Sequence, residues 1–358
     1  MTAPLGVQVT PWRTSAELVA LSQRLSQAFD LIWVQDQMLA RNVYALLGAI
    51  AHAGCGVGTN VTYPVGRNPL EMASAVATAG ELLPAGREIV VGMGTGGALV
   101  NSLFRKEHPV TAVQEAIGLM RALWRGQTVE LDAYPVLGAA CGYRPGGTAT
   151  LTYPVPRPPD IVVAGVGPRI LAVAAAHADG LISPSNLPTL SLASLRSGRF
   201  GELSGLDRAL AARPAGAPPL RLIFGINVSV SRDRKLARAY ARRQLALVVG
   251  NPRLWPDLAA VGLDTESASE VKAAFEAGLG IDGAAARMSD TLADALIVSG
   301  TPDDCAGPMA QLRDLAQAHG YREFYVGAPL GPDPVEAADL LLTELVPQVW
   351  PERRAAVR

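Results

Sequence analysis

The chain has 358 residues, of which 49% are hydrophobic, and its 31 Lys and Arg nearly balance its 32 Asp and Glu, giving a net charge of -1. This composition argues against electrostatic binding to nucleic acid or to an anionic membrane, and no segment reaches the roughly 18 uninterrupted apolar residues that span a bilayer. The three cysteines, Cys55, Cys141 and Cys305, lack metal-ligand spacing, and the start has no signal-peptide pattern, so we expect a cytoplasmic protein without a metal site.

Short β-branched runs alternate with longer helical patterns along the chain, which is typical of βα units around a parallel sheet. The first half predicts strands at 5–9, 31–34, 56–61 and 89–93, followed by helices at 15–27, 43–53, 70–83 and 110–124. The second half predicts strands at 160–165, 180–183, 220–230 and 323–327, with helices at 169–178, 233–249 and 334–346.

Three stretches interrupt this alternation: the Gly- and Pro-rich 127–159, then 187–218, and the helical Ala- and Gly-rich 253–287. We interpret them as insertions after strands 4, 6 and 7. Eight strands and no linker-like boundary predict an α/β fold, a single (β/α)8 TIM barrel domain over residues 1–358 that carries these insertions.

The sequence "VGMGTGG" at 91–97 contains a G-x-G-x-x-G pattern after a predicted strand. A dinucleotide-binding fold would require a second strand ending in an acid about 20 residues further on, whereas Glu115 lies inside a predicted helix. In a barrel, the same glycines lie in the loop after strand 4, on the face where active sites are built.

Several loops and their flanking elements resemble one known family. The segments "FDLIWVQD", "GTNVTYPVGRNP", "GMGTGG", "VVAGVGPRILAVAAAHADGLI" and "SGTPDDCAGPMAQLRDL" occur in the order found in the bacterial-luciferase-like superfamily. Within it, the chain looks most like the branch that uses the deazaflavin coenzyme F420.

The resemblance implies positions for the coenzyme ring. A non-prolyl cis peptide that lies behind the central ring falls on Asn60–Val61, and the aspartate after strand 2 is Asp36. The loop after strand 4 would place the N–H groups of Thr95, Gly96 and Gly97 against the hydroxylated edge and the pyrimidine ring, because glycine lets a backbone approach a planar ligand closely.

The resemblance also implies a phosphate site after strand 5, where main-chain N–H groups at a helix start bind the coenzyme phosphate. The matching residues are Ala164, Gly165, Val166, Gly167 and Arg169.

The chain departs from the F420-dependent sugar-phosphate dehydrogenases of this family, which have a histidine where this chain has Gln37 and a glutamate where it has Gly97. The catalytic group is therefore unknown, with Gln37, Tyr63 and His108 as the candidates on the loops. Each of them also has an ordinary packing or surface interpretation.

We therefore expect an F420-dependent oxidoreductase that transfers a hydride between the deazaflavin and a small organic substrate, such as an imine, an iminium ion or an activated alkene. Two alternatives stay open: an FMN-dependent monooxygenase of the same superfamily, and a barrel that binds a cofactor or partner without turnover. Dimers are common in the family, so a homodimer is the candidate assembly, although the sequence leaves the oligomeric state open.

Overall fold

The computed structural model describes residues 3–183 and 205–353. Most of the predicted insertion at 187–218 therefore lies outside the described residues, and the remainder contains the helix Gly205–Ala211.

The eight predicted strands are all present, and they run parallel in one sheet that closes into a barrel in the order β9-β11-β1-β2-β3-β4-β7-β8, with β8 pairing back to β9. The barrel strands are β1 Leu5–Val9, β2 Leu31–Val34, β3 Gly56–Thr62, β4 Ile89–Met93, β7 Asp160–Ala164, β8 Gly180–Ser183, β9 Arg221–Val230 and β11 Glu323–Leu330. Their nearly continuous burial is what a parallel sheet covered on both faces requires.

The first three helices of the chain begin at residues whose side chains satisfy exposed backbone N–H groups. The Asn42 and Asn68 side chains cap α2 and α3, while Thr14 and Glu17 form a reciprocal capping box at the start of α1. The helices of the first half are α1 Ser15–Leu25, α2 Val43–His52, α3 Pro69–Glu81, α4 Ala98–Leu103, α5 Pro109–Trp124, α6 Pro135–Cys141 and α7 Pro168–His177.

The described residues divide into two compact units. The first comprises 3–5, 183, 205 and 223–353, and the second comprises 6–182 and 206–222. All the loops that follow β2, β3, β4 and β7 belong to the second unit.

In the second unit, the stretch 127–159 contains a two-stranded antiparallel sheet, formed by β5 Val129–Glu130 and β6 Thr148–Ala149, together with α6. The Glu115 carboxylate of α5 accepts hydrogen bonds from the N–H groups of Val136 and Leu137 at the start of α6.

In the first unit, the stretch predicted as helical at 253–287 forms three helices, Trp255–Ala260, Thr265–Glu276 and Gly280–Ala285. They pack with the helices Arg234–Val249 and Asp290–Leu296 around one apolar cluster. The strand β10 Val298–Gly300, which flanks β9, is followed by the helix Pro302–Ala318. The last helices are Pro334–Leu340 and Val346–Val349, joined by a π-helical turn at Leu341–Leu345.

Within the described ranges, no helix has the length and apolar character needed to cross a membrane. The same residues contain no group of three or more His, Cys, Asp or Glu side chains that could hold a metal ion.

Candidate functional site

The predicted site residues follow four strands that are neighbours in the sheet, in the order β2, β3, β4 and β7. Since parallel strands place their carboxyl ends at the same edge, the loops that carry Asp36, Asn60, Thr95 and Ala164 lie side by side. The resemblance therefore selected loops that the fold brings together.

The end of β3 has the backbone geometry that the resemblance predicts, because the Asn60–Val61 peptide bond is cis. The pairing register between β3 and β4 shifts between Thr59 and Thr62 at this point. Gln8 Nε2 donates to the Asn60 carbonyl oxygen at 3.1 Å. The Asn60 side chain is buried, and its Nδ2 has no hydrogen-bond acceptor among the described residues.

Asp36 is the centre of a buried polar network. Its carboxylate, which has 0% side-chain exposure, accepts hydrogen bonds from Arg67 Nη2 at 2.7 Å and from Arg67 Nε at 3.2 Å. Thr62 Oγ1 donates to Asp36 Oδ2 at 2.8 Å. Because that hydroxyl hydrogen is used, the Tyr44 hydroxyl is the donor in its 2.7 Å bond to Thr62 Oγ1. The aspartate predicted near the coenzyme ring is therefore fixed by a bidentate cation and a hydroxyl relay.

The electrostatics of this network favour neutral tyrosines beside the ion pair. Burial raises the pKa of the Tyr44 hydroxyl, and the negative charge of Asp36 adds to the effect. Burial followed by the same negative charge also raises the pKa of Tyr63, which is 2% exposed. Burial acts to lower the pKa of Arg67, but its hydrogen bonds to Asp36 and the charge of Asp36 outweigh this, so that the pKa is raised. At neutral pH, the guanidinium is charged and both hydroxyls keep their protons.

Gln37 lies between two other side chains of the same loop region. Its Oε1 accepts a hydrogen bond from Trp12 Nε1 at 2.6 Å, and its Nε2 donates to Gln35 Oε1 at 2.9 Å. Since both ends of the amide are engaged, the orientation of Gln37 is defined by its neighbours. An amide in this position can bind a polar group, but it cannot act as a general base.

The loop after β4 is held by Lys106, a residue that the sequence alone did not single out. Its Nζ donates to the carbonyl oxygens of Thr95 at 2.6 Å and Gly96 at 3.2 Å. Burial lowers the pKa of Lys106. Gly96 has φ +83°, a conformation that favours glycine, whereas Gly97 has φ -86° and a Cβ added there meets no described atom within 4 Å. The side of the loop at Gly97 is therefore open.

The loop after β7 places backbone N–H groups at a helix start. Gly167 precedes α7, which begins at Pro168 and has no side-chain cap at its N-terminus. Val166 and Arg169 are exposed, and a Cβ on Gly165 would lie 2.4 Å from Ile170 Cγ2, so that only glycine allows this close turn. An uncapped helix start beside an exposed arginine can bind an anion.

His108 lies at the exposed N-terminus of α5 and makes no capping hydrogen bond with its side chain. Tyr63 follows β3 directly and lies buried beside the Asp36 network. Of these two catalytic candidates, His108 is therefore exposed and Tyr63 is buried.

These residues fit a planar coenzyme with a phosphate tail. In the part of the chain that the structure describes, the N–H groups of Thr95, Gly96 and Gly97 donate to no protein acceptor. The space beside Gly97 is open, and the buried Asn60 amide has donor capacity left. Unused donors next to open space are what a ligand with carbonyl or anionic oxygens requires.

Comparison with known proteins gives a consistent assignment. Residues 3–319 match the family model described as luciferase-like monooxygenase. The 5,10-methylenetetrahydromethanopterin reductase of Archaeoglobus fulgidus is 28% identical over 335 residues, which cover 90% of this chain and 92% of the relative. The F420-dependent glucose-6-phosphate dehydrogenase of Nocardia farcinica is 28% identical over 311 residues, which cover 82% of this chain and 78% of the relative.

Among solved structures, the coenzyme F420-dependent tetrahydromethanopterin reductase of Methanopyrus kandleri superimposes with a TM-score of 0.75 at 21% identity, covering 97% of this chain and 99% of that structure. At this level of identity the superposition concerns the fold, and it agrees with the barrel described above.

Proposed function

Because the chain belongs to the luciferase-like monooxygenase family, we propose that it is an F420-dependent oxidoreductase that transfers a hydride between the deazaflavin and a small organic substrate. The observation that carries the proposal is the loop after β4, where the N–H groups of Gly96 and Gly97 donate to no acceptor among the described residues and a Cβ added at Gly97 would meet no described atom within 4 Å. Relatives that cover most of the chain are named for F420-dependent activities, which supports the same coenzyme here.

The residues divide into four binding roles. Thr95, Gly96 and Gly97 would donate hydrogen bonds to the oxygen-bearing edge of the coenzyme, and Asp36 would lie near its ring. Main-chain N–H groups among Ala164, Gly165, Val166 and Gly167 would bind its phosphate, with Arg169 adding positive charge. Asn60 and Val61 would form the support behind the central ring.

When bound, F420 supplies a ring carbon that gives or accepts a hydride. This chain's own contribution is then orientation, because the groups that would move a proton in the sugar-phosphate dehydrogenases are replaced by Gln37 and Gly97. The Gln37 amide, held between Trp12 and Gln35, does not ionise near neutral pH and so cannot serve as a general acid or base.

The lack of a proton-transferring group at Gln37 and Gly97 favours substrates that accept a hydride without a protein acid. An iminium ion becomes a neutral amine when its carbon receives the hydride, so no proton is needed; an imine or an activated alkene takes one proton from solvent. Orientation alone can accelerate such a transfer substantially. We therefore include imines, iminium ions and activated alkenes in the proposed substrate class and leave out sugar phosphates.

The first experiment measures coenzyme binding. The purified protein is titrated with F420 and, separately, with FMN, and the binding is followed by absorption and by calorimetry. Saturable binding of F420 supports the proposal. Tight binding of FMN without binding of F420, together with oxygen consumption when FMN is reduced, would replace it with the alternative of an FMN-dependent monooxygenase.

The second experiment measures turnover. Reduced F420 is mixed anaerobically with the protein and with a panel of cyclic imines, iminium salts and enones, and its oxidation is followed by absorption. Oxidation with any member supports hydride transfer. Binding of F420 without oxidation by any of them would favour a barrel that binds the coenzyme without turnover.

The predicted homodimer and the cytoplasmic location belong to the same proposal. Sedimentation of the purified protein at several concentrations checks the first, and a monomer throughout would exclude a stable dimer. Fractionation of cells that express the chain checks the second.

A further inference from the structure

The Lys106 side chain is bonded to the tip of the loop after β4. It is one of three lysines in the sequence, and its ammonium group is engaged by two consecutive carbonyls, those of Thr95 and Gly96. A lysine that binds two neighbouring carbonyls defines the direction of two neighbouring peptide planes.

Peptide geometry gives the consequence. The bonds that join Thr95 to Gly96 and Gly96 to Gly97 are trans, since the cis bonds of the described chain lie elsewhere. In a planar trans peptide, the C=O of one residue and the N–H of the next point in opposite directions. Because both carbonyls face Lys106, the N–H groups of Gly96 and Gly97 point away from it.

Those two N–H groups form a pair without a protein acceptor in the described residues, next to the open space at Gly97. A positive charge on a carbonyl polarises the peptide and makes the N–H on its far side a stronger donor. Successive backbone N–H groups that face the same space form a concavity for an anionic or carbonyl oxygen.

We infer that Lys106 is a positioning residue, which holds the carbonyls of Thr95 and Gly96 so that the N–H groups of Gly96 and Gly97 are directed at an oxygen on the edge of the bound deazaflavin. The inference rests on the proposed function for the identity of the ligand. Lys106 acts through the peptide groups, because its own ammonium is occupied by carbonyls on the other side of the loop.

The test compares Lys106→Met and Lys106→Gln with Lys235→Met. The Met variant removes both hydrogen bonds, and the Gln variant keeps one neutral donor. Lys235→Met makes the same change of charge at an exposed position on the helix Arg234–Val249. Circular dichroism and thermal unfolding check that all three variants are folded.

In the coenzyme-free protein, nitrogen-15 relaxation should show lower order parameters for Gly96 and Gly97 in Lys106→Met, an intermediate effect in Lys106→Gln and none in Lys235→Met. This measurement does not depend on F420. Unchanged order parameters in Lys106→Met would overturn the inference, whichever coenzyme the protein binds.

With F420, the dissociation constant should rise roughly tenfold to a hundredfold in Lys106→Met, as expected when charge-assisted hydrogen bonds are lost. The pH at which the hydroxyl of bound F420 ionises, read from its absorption, should also move upward because the donors to its anionic edge are weakened. A weaker affinity with an unchanged ionisation pH would mean that Lys106 only stabilises the loop. Failure of the parent protein to bind F420 would refute the proposed function, while the relaxation result would still decide on the role of Lys106.

Discussion

Removing the guanidinium of Arg67 is the sharpest perturbation of the site that leaves the proposed coenzyme contacts in place. The Asp36 carboxylate has 0% side-chain exposure, whereas the Arg67 side chain is 17% exposed and lies 5.9 Å above the ring of Tyr44. Arg67→Met keeps most of the apolar stem and removes both hydrogen bonds to the carboxylate. Among the described side chains, the variant therefore leaves the Thr62 hydroxyl as the donor to a buried negative charge.

The expected loss of unfolding free energy follows from the exposed fractions of the Asp36 and Arg67 side chains. Removing one partner of a buried ion pair costs about 3–5 kcal/mol, and because Arg67 is partly in water we expect about 3 kcal/mol for Arg67→Met. Asp36→Asn should cost about 1–2 kcal/mol, since the arginine left behind can reach water and the new amide oxygen still accepts from Thr62. The double variant should lose less than the sum of the single variants, by about 2 kcal/mol.

The assay is urea unfolding of the four proteins, followed by circular dichroism, together with amide hydrogen exchange of the peptides 31–40 and 56–67. Arg105→Met is the matched control, because Arg105 pairs with Glu107 at 88% side-chain exposure. It should change the free energy of unfolding by no more than about 0.5 kcal/mol. The buried ion pair would be refuted by equal losses of unfolding free energy in Arg67→Met and Arg105→Met. It would also be refuted if the losses of Arg67→Met and Asp36→Asn added up exactly in the double variant.

Gly97→Val should keep the free energy of unfolding within about 0.5 kcal/mol of the parent, since φ at Gly97 is -86° and the space beside it is open. The variant should nevertheless abolish F420 binding in calorimetry. Retained affinity for F420 would place the coenzyme elsewhere. Gly96→Ala, at φ +83°, should instead lower the free energy of unfolding by about 1 kcal/mol in urea, and no loss would contradict the left-handed conformation. Iodoacetamide should modify the partly exposed Cys141 in the native protein, whereas Cys305, where burial raises the pKa to about 12, should react only after unfolding, as read by mass spectrometry. A hydrogen bond from Arg234 lowers the pKa of Asp304 from 3.8 to about 2. Asp304→Asn should therefore lower the free energy of unfolding fully above pH 3.8, the unfolded-state pKa, and by less and less as the pH falls towards 2. A difference between variant and parent that stays constant across this pH range would contradict the prediction.

The barrel could be predicted because each of its strands is a short apolar run bounded by polar or glycine-rich loops, and the structure confirms all eight. The elements that were not predicted include the long helix Pro302–Ala318 and two short elements. The strand Val298–Gly300 has three residues and is defined by its pairing with β9, and α4 has six residues after a glycine-rich loop. Such short elements depend on tertiary contacts rather than on a periodic pattern.

The site could be predicted only in part. The resemblance predicted the cis bond at Asn60, which the structure contains, while the place of Asp36 near the coenzyme ring stays a prediction. It did not identify Arg67 or Lys106, because their partners lie 31 and about 10 residues away along the chain, and neither spacing corresponds to a helix or strand period. A buried carboxylate requires a cation, so the burial of Asp36 could have directed attention to the arginines of the adjacent loops.

In the described site region, the charged side chains of Asp36 and Lys106 are both bonded to other groups of the protein. Asp36 is bonded to Arg67 and Thr62, and Lys106 is bonded to backbone carbonyls, so neither side chain is placed as a freely accessible acid or base. Their common effect is to fix polar groups in direction: the hydroxyl of Tyr44 on one side, and the N–H groups of the loop after β4 on the other. A site built in this way accelerates a reaction by preorganised orientation and electrostatics. The substrate must then supply its own electrophilic carbon, which is the chemical reason that an iminium ion suits the proposed hydride transfer better than an alcohol that must lose a proton.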